Sequence, residues 1–112
     1  MSSETQQRQK REELETAWYA FQYWTGTQDE GRFRASYLGR YDDRNAFGEE
    51  LLARLGADGR LYKLPDWLRA YVRLDGEAVV RDFERSGHFY VFEAPEGGGA
   101  FVFDRHSYAL GE

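Results

Sequence analysis

The sequence contains no cysteine and only two histidines, so it offers few candidates for catalysis or metal binding. Without cysteine there is no disulfide, no thiolate nucleophile and no zinc–thiolate site. The absence of cysteine does not indicate the cellular compartment of the protein. Asp104 and His106 offer two metal ligands, but no third ligand stands at a regular spacing. Ser107 and His106 do not form a nucleophile–base pair, because neighbouring strand residues point to opposite faces. We expect His88 and His106 to cap strand ends. We also expect that the protein has no catalytic residue and binds no metal or cofactor.

Long apolar runs are also missing. No stretch of about 18 apolar residues is present, and residues 1–11 are polar after the first methionine, without the apolar core of a signal peptide. The glycines of Gly97–Gly99 are followed neither by Lys-Ser or Lys-Thr nor by a helix, so a hairpin turn explains them better than a phosphate-binding loop. These absences predict a soluble intracellular protein that is not an enzyme.

Positive charge is in short supply. The net charge is −5, with 20 acidic and 15 basic residues. Residues 1–11 hold three of the bases and one acid, which leaves 19 acids and 12 bases, a charge of −7, for residues 12–112. Domains that bind nucleic acid need a basic footprint, so this balance argues against direct binding to DNA or RNA. An acidic partner-binding surface and a simple contribution to solubility both agree with it.

Aromatic residues are abundant, at 17 % of the sequence. Each can bury about 150–250 Å², so a few of them can dominate the core of a small domain. At 112 residues the chain has the length of one domain. Trp18–Trp24 alternates like a strand buried on both faces, although a helix stays possible. After a polar turn at Gly26–Gly31, Arg32–Leu38 alternates again. We predict that the two segments form a hairpin.

An amphipathic helix is predicted after this hairpin. Asp42 and Asp43 place negative charge at its positive end, and Gly56 stops it. Its inner face consists of apolar residues at four-residue steps: Phe47, Leu51 and Leu55. We expect Ala57–Lys63 to be a loop.

Two short helices are predicted next. Pro65 suits the first turn of one, because proline lacks the N–H that this turn leaves unpaired. Its apolar face is predicted to consist of Leu68, Tyr71 and Val72. Asp75 can cap the other helix and Gly87 can end it. The inward face of that helix is predicted to consist of Val79, Val80 and Phe83.

A second hairpin closes the chain. From Phe89 the period of the apolar residues changes to two, Pro95–Gly99 forms a turn, and Ala100–Asp104 returns. The predicted fold class is therefore α+β, a small antiparallel sheet of two hairpins packed with about three short helices. We expect one domain, residues 12–112, after a flexible polar segment, residues 1–11, that is disordered or a frayed helix.

The middle of the chain carries a family resemblance. Its pattern Leu64-Pro65-x-x-Leu68-x-x-Tyr71, then Asp75-x-Glu77-Ala78-x-x-Arg81-Asp82-Phe83 and Ser86-Gly87, resembles the antirestriction motif of the ArdA family. Upstream, Gly39-Arg40-Tyr41-Asp42-Asp43 leading into Phe47 is similar to the segment that precedes this motif in that family. The stretch from Tyr71 to Glu77 is two residues longer than the family pattern, and the likeness covers residues 37–103.

ArdA proteins are small acidic proteins of plasmids, transposons and phages. The resemblance implies an elongated, dimeric DNA mimic that occupies the DNA groove of type I restriction–modification enzymes, with the antirestriction motif at the dimer interface. We therefore expect an inhibitor of a bacterial DNA-targeting defence system, either type I restriction–modification or CRISPR–Cas, in the cytoplasm of the host cell. The expected partners are the defence enzyme and a second copy of the chain, with no direct binding to nucleic acid or membrane.

In this interpretation carboxylates imitate phosphates. The candidates surround the predicted helices: Asp42, Asp43, Glu49, Glu50, Asp66, Asp75, Glu77, Asp82 and Glu84. Duplex DNA carries roughly 20 charges over the ~30–35 Å diameter of such a domain. A charge of −7 suffices only when the acids gather on one side, apart from the arginines, or when two copies join end to end. The competing interpretation is structural, because acids stabilise helix starts and Glu77 can pair with Arg81.

Apolar residues of the motif are predicted to form the core or a self-association surface: Trp67, Leu68, Tyr71, Val72 and Phe83. Two other functions stay open. One is a protein–protein adaptor that uses an exposed aromatic patch from Trp18–Trp24 or Trp67. The other is a binder of small ligands or single-stranded nucleic acid on aromatic strands, where Arg32 and Arg34 would supply the charge. Core packing explains most of these aromatic residues without a ligand.

Overall fold

The computed structural model of the protein describes residues 2–105. Its elements are α1 (Ser2–Thr25), α2 (Glu30–Ser36), β1 (Tyr37–Tyr41), α3 (Arg44–Arg54), α4 (Ala57–Tyr62), α5 (Asp66–Arg69), α6 (Gly76–Arg85), β2 (Phe89–Glu93), a 3₁₀ turn (Pro95–Gly97) and β3 (Ala100–Asp104). His106 and Ser107 lie outside the described residues, and so do the two-ligand and nucleophile-pair interpretations that need them.

The three strands form one antiparallel sheet in the order β1-β3-β2. β2 and β3 are joined by the glycine-rich turn, with Val91 opposite Val102 and Phe92 opposite Phe101. β1 pairs with the other edge of β3. The predicted α+β class with a small sheet is therefore confirmed, and so is the second hairpin.

The sheet lies between two layers of helices, and β3 is buried on both faces. Phe101 and Phe103 face α1 and α2, where they pack with Ala17, Ala20, Phe21 and Phe33. Ala100 and Val102 face α3 and α6, where they pack with Phe47, Val80 and Val91. A central strand with helices on both sides must be apolar at every position, which explains the run Ala-Phe-Val-Phe in β3.

The first predicted hairpin is wrong, because its first strand is part of α1. The residues of Trp18–Trp24 fit both the two-residue period of a strand and the 3.6-residue period of a helix. The helix forms because an apolar stripe at i, i+3, i+4 and i+7 packs on the sheet: Ala17, Ala20, Phe21 and Trp24. The polar segment 1–11 belongs to the same helix from Ser2 onward, and the side chains of residues 3–12 are exposed.

The second strand of that hairpin is wrong as well. Arg32–Leu38 divides into the end of α2 and the start of β1. The missed signal is Asp29, whose Oδ1 accepts the backbone N–H groups of Gly31 at 2.9 Å and Arg32 at 3.2 Å and so starts a helix. Arg32 and Arg34 therefore stand on a helix, and the aromatic strand with flanking arginines does not exist.

The predicted helices around the motif are largely confirmed. Asp43 Oδ1 accepts the Ala46 N–H at 2.8 Å, and Asp75 Oδ1 accepts the Ala78 N–H at 3.1 Å, so both aspartates are N-caps. Gly87, at a φ of +80°, ends α6 as expected. Ala57–Lys63 is not a loop, because Ala57–Tyr62 forms α4.

Two tyrosines of β1 connect the sheet to the helices on either side. The Tyr37 hydroxyl donates to Glu13 Oε2 of α1 at 2.7 Å. Burial, together with this hydrogen bond, raises the pKa of Tyr37 well above its ordinary value. On the opposite face, burial and a hydrogen bond with Glu50 of α3 raise the pKa of Tyr41 to about 12.

We expect the domain to lose stability as the pH rises above 10, the ordinary pKa of tyrosine. Below that pH the two hydroxyls are protonated in both the folded and the unfolded chain. Above it they ionise in the unfolded chain while the folded chain keeps its protons, which favours unfolding. Urea denaturation at about pH 9 and about pH 11 measures the loss. The double variant Tyr37→Phe, Tyr41→Phe should show a smaller loss between the two pH values than the parent. An equal loss would contradict the assignment to these hydroxyls.

Candidate functional site

The described part of the chain, residues 2–105, shows no cluster of three His, Asp or Glu side chains that could hold a metal ion. His88 stands before β2, its ring edge-on to Phe83 with centroids 5.1 Å apart, and its carbonyl accepts the Arg105 N–H at 3.0 Å. No helix of residues 2–105 combines the length and the hydropathy needed to cross a membrane.

Ion pairs with arginine neutralise part of the predicted phosphate-mimicking set. Glu50 pairs with Arg54, Asp66 with Arg69, and Glu84 with Arg44. Asp42 lies 3.7 Å from Arg40, measured between Oδ1 and Nη1. The acids are therefore not gathered on one side apart from the arginines, which was one of the two conditions for imitating a whole duplex; the other, two copies joined end to end, stays a prediction.

The other five predicted acids have different roles. Asp43 and Asp75 cap helices, and Glu49 accepts a hydrogen bond from the Asn45 amide at 3.0 Å. Glu77 and Asp82 are exposed on α6. Capping uses one carboxylate oxygen and leaves the other available, so a capping aspartate can still contribute charge to a binding surface.

Three of the predicted acids do come together. Asp42, Asp43 and Glu77 line an open concavity of about 350 Å³, together with Glu93 at the end of β2 and with Arg44. We call the four carboxylates, Asp42, Asp43, Glu77 and Glu93, the acidic patch. It forms because α3 and α6 start next to each other, beside the end of β2.

Arg44 is the residue of this site that sequence reasoning missed. It reaches from the first turn of α3 to Glu84 of α6, and its Nε lies 3.3 Å from Glu93 Oε1. The hydrogen bond with Glu84 raises the pKa of Arg44 above its ordinary value. Glu93 was also missed, because strand alternation alone does not reveal that it approaches α3.

The charge of the patch sets a limit on what it can imitate. Arg40 pairs with Asp42, and Arg44 divides its charge between Glu93 of the patch and Glu84 outside it, so the net charge of the patch is between −2 and −3. Over ~15 Å of axis, duplex DNA carries roughly nine charges. The patch can therefore stand in for two or three phosphates, not for a continuous backbone.

The apolar residues of the motif divide between core and surface. Phe83 is half-buried and packs against the Phe89 ring at 5.9 Å. Leu68 and Val72 are also half-buried, whereas Trp67 is 69 % exposed and Tyr71 is 82 % exposed. The predicted shared face of Leu68, Tyr71 and Val72 is therefore wrong for Tyr71, because α5 ends at Arg69 and Tyr71 lies in the turn after it.

The second aromatic candidate, Trp18–Trp24, is mostly core. Trp18 and Trp24 pack against the cluster around Phe21 on the sheet, and the Trp24 ring is stacked on Tyr90 at 4.7 Å. Only the outward tyrosines of this segment, Tyr19 and Tyr23, are largely exposed. Trp67 is thus the better candidate for an aromatic contact.

Comparisons of the chain with family models, with curated proteins and with solved structures found no significant match. The ArdA resemblance therefore depends on the motif residues alone.

Proposed function

We propose that the protein is a stoichiometric, non-catalytic inhibitor of a bacterial DNA-targeting defence enzyme, and that its acidic patch occupies part of that enzyme's basic DNA-binding site. The observation that supports this most is the convergence of Asp42, Asp43, Glu77 and Glu93 on one concave surface. The ArdA resemblance supplies the class of target, a type I restriction–modification complex or a CRISPR effector.

The patch is presented by a rigid support. α3 and α6 are in backbone contact at Gly48 and Gly76, so the two helix starts keep a fixed separation. Arg44 joins Glu84 to Glu93 and ties both helices to the sheet. A backbone that is already fixed loses little freedom on binding, so a small number of charges can contribute most of their attraction.

The modest charge of the patch makes the mechanism local. With a net charge between −2 and −3, it blocks two or three phosphate-binding positions of the enzyme and excludes DNA because the domain behind it fills the channel. DNA binding follows a salt slope of about −0.9 for each neutralised phosphate. We therefore expect the inhibitor to depend on salt less steeply than the DNA it displaces.

Removing charge from the patch is expected to restore restriction. The variant Asp42→Asn with Glu77→Gln takes away two charges and leaves the capping residues Asp43 and Asp75 in place. We expect inhibition to weaken about tenfold or more, equivalent to ~1.4 kcal/mol. The measurement is plating of unmodified phage on a restricting host that expresses the chain, followed by competition with DNA for the purified enzyme at rising salt.

The matched control is Glu50→Gln with Asp66→Asn, which changes the net charge equally at two acids that lie outside the patch and pair with arginines. Inhibition should be unchanged. If both double variants weaken it alike, net charge and not the patch is responsible. If the parent chain rescues no phage in hosts with either defence system, the proposed function is wrong.

An adaptor without DNA mimicry is the second candidate, because Trp67 is 69 % exposed. Trp67→Ala separates the two. Loss of inhibition in a folded Trp67→Ala protein, with the patch variant still active, would assign the contact to the aromatic surface.

A further inference from the structure

The chain between α3 and α6 forms an arm, residues 57–74, that has no fully buried residue. Three of its aromatic side chains face solvent: Tyr62 is 76 %, Trp67 is 69 % and Tyr71 is 82 % exposed. Exposed apolar patches mark interaction sites, whereas single exposed apolar residues do not, and these three rings lie within ten residues of the chain, 62–71. The arm is therefore a second candidate surface, separate from the acidic patch.

The charge of the arm is opposite to that of the rest of the protein. It contains four bases, Arg60, Lys63, Arg69 and Arg73, and two acids, Asp58 and Asp66. Its net charge is +2, so the remaining residues carry −7. Among the described residues, Arg69 pairs with Asp66, whereas no carboxylate lies within 4.0 Å of the charged groups of the other three bases. These cations are available to an anionic partner.

The aromatic rings and the cations belong to one local structure. The Arg69 guanidinium stands 5.5 Å from the centre of the Tyr62 ring, and its Nη1 donates to the Tyr62 carbonyl at 3.5 Å, so α4 and α5 are held together. Trp67 lies on α5, and Tyr71 lies in the turn that follows, where its backbone N–H donates to the Leu68 carbonyl at 2.9 Å; both side chains face solvent. Leu64, Leu68 and Val72 are half-buried.

We propose that the arm binds single-stranded nucleic acid, with unpaired bases on Trp67 and Tyr71 and phosphates against Lys63, Arg60 and Arg73. Solvent-facing rings beside cations are the combination that single-strand-binding surfaces use, because every base offers a flat face to stack on. A duplex keeps its bases stacked on each other, and an acidic peptide offers charge without flat faces. The negative body does not prevent binding, because exposed charges more than about 8 Å away are screened at physiological salt.

The experiment measures binding of the full chain to fluorescent oligothymidylate and oligouridylate of about 15 nucleotides. We expect Trp67→Ala and Tyr71→Ala each to weaken binding roughly 5-fold to 150-fold, the effect of one lost stacked base. Lys63→Glu with Arg73→Glu should weaken it further and flatten its salt dependence, which is about −0.7 in slope for each phosphate contact. The tighter of the two oligonucleotides identifies DNA or RNA as the ligand.

The chain offers matched controls. Tyr23→Ala removes a tyrosine that is 76 % exposed on α1, far from the arm in sequence, and should leave binding unchanged. Trp67→Phe keeps a ring for stacking and should retain most of the affinity, which separates stacking from damage to the fold. Trp67 is the exposed tryptophan, since Trp18 and Trp24 are partly buried, so quenching of its emission on binding reports the contact directly.

Several results would overturn the proposal. It fails if the chain binds neither oligonucleotide, if the Trp67→Ala and Tyr71→Ala variants keep full affinity, or if a duplex binds more tightly. It also fails if polyglutamate competes equally well, which would identify an acidic protein as the partner. A change in the sedimentation of free protein on Trp67→Ala would instead assign the arm to a second copy of the chain. All of these are independent of phage plating with the patch variants, so failure here leaves the proposed inhibition standing.

Discussion

Replacing Gly48 by alanine is expected to destabilise the domain by about 3 kcal/mol or more, a large part of the ~5–15 kcal/mol that holds such a domain folded. A Cβ atom at Gly48 would lie 2.6 Å from the Gly76 Cα and still closer to its carbonyl. Both obstacles are backbone atoms, so no side-chain rotation can relieve the clash. α3 and α6 would have to separate, which would also loosen the packing of Phe47 and Val80.

Urea denaturation measures this effect, and the chain supplies a control. Gly59 lies inside α4, and a Cβ atom there meets nothing within 4 Å. Gly59→Ala should be neutral or stabilise the domain by up to ~1 kcal/mol, because alanine favours a helix more than glycine does. A loss below ~1 kcal/mol in Gly48→Ala would mean that the two helices have room to move apart without disturbing the core. In that case the acidic patch would have no fixed support.

The parts of the fold that could be predicted are those with local causes. Asp43 and Asp75 bond to backbone N–H groups three residues later, so a helix start can be inferred from a few neighbouring letters. Gly87 ends α6 for an equally local reason, its left-handed backbone. The hairpin of β2 and β3 needs only a turn and two short alternating segments.

The wrong predictions have non-local causes. Trp18–Trp24 fits a strand and a helix equally well, and the choice is made by the sheet face around Phe101 and Phe103, some 80 residues later in the chain. β1 forms because residues 37–41 find the free edge of β3, a pairing across about 60 residues that local patterns do not reveal. Tertiary packing decides such ambiguous segments.

The same distinction applies to the candidate surfaces. The Glu50–Arg54 pair could be read from its four-residue spacing, but the Glu84–Arg44 pair joins residues 40 apart. The composition gives the number of acidic residues, but it does not show which of them pair with arginines. The net charge of the whole chain also conceals the basic charge of the arm, because +2 in residues 57–74 and −7 in the other residues add up to −5.

Replacing Phe103 by alanine is the second change with a large expected effect, a loss of about 3–5 kcal/mol. Phe103 is fully buried in β3. Five rings from two helices and two other strands surround it, with centroids 5.3–6.3 Å away: Phe21, Trp24, Phe33, Tyr37 and Tyr90. Val102→Ala, one residue away on the opposite face, should cost only about 2 kcal/mol, because a smaller buried surface is lost.

Tryptophan emission during urea unfolding distinguishes these two variants, because each is expected to loosen a different layer of helices. Since α1 and α2 pack on Phe103, its removal should loosen that layer first and shift the emission of Trp18 and Trp24 toward that of exposed tryptophan at urea concentrations where the parent is still folded. Val102→Ala should leave this emission unchanged until global unfolding, because Val102 contacts the layer of α3 and α6. If Phe103→Ala costs no more than Val102→Ala and the emission does not shift early, α1 and α2 hold each other without the sheet. The acidic patch and the arm would then belong to a unit, residues 37–105, that is stable without the first two helices.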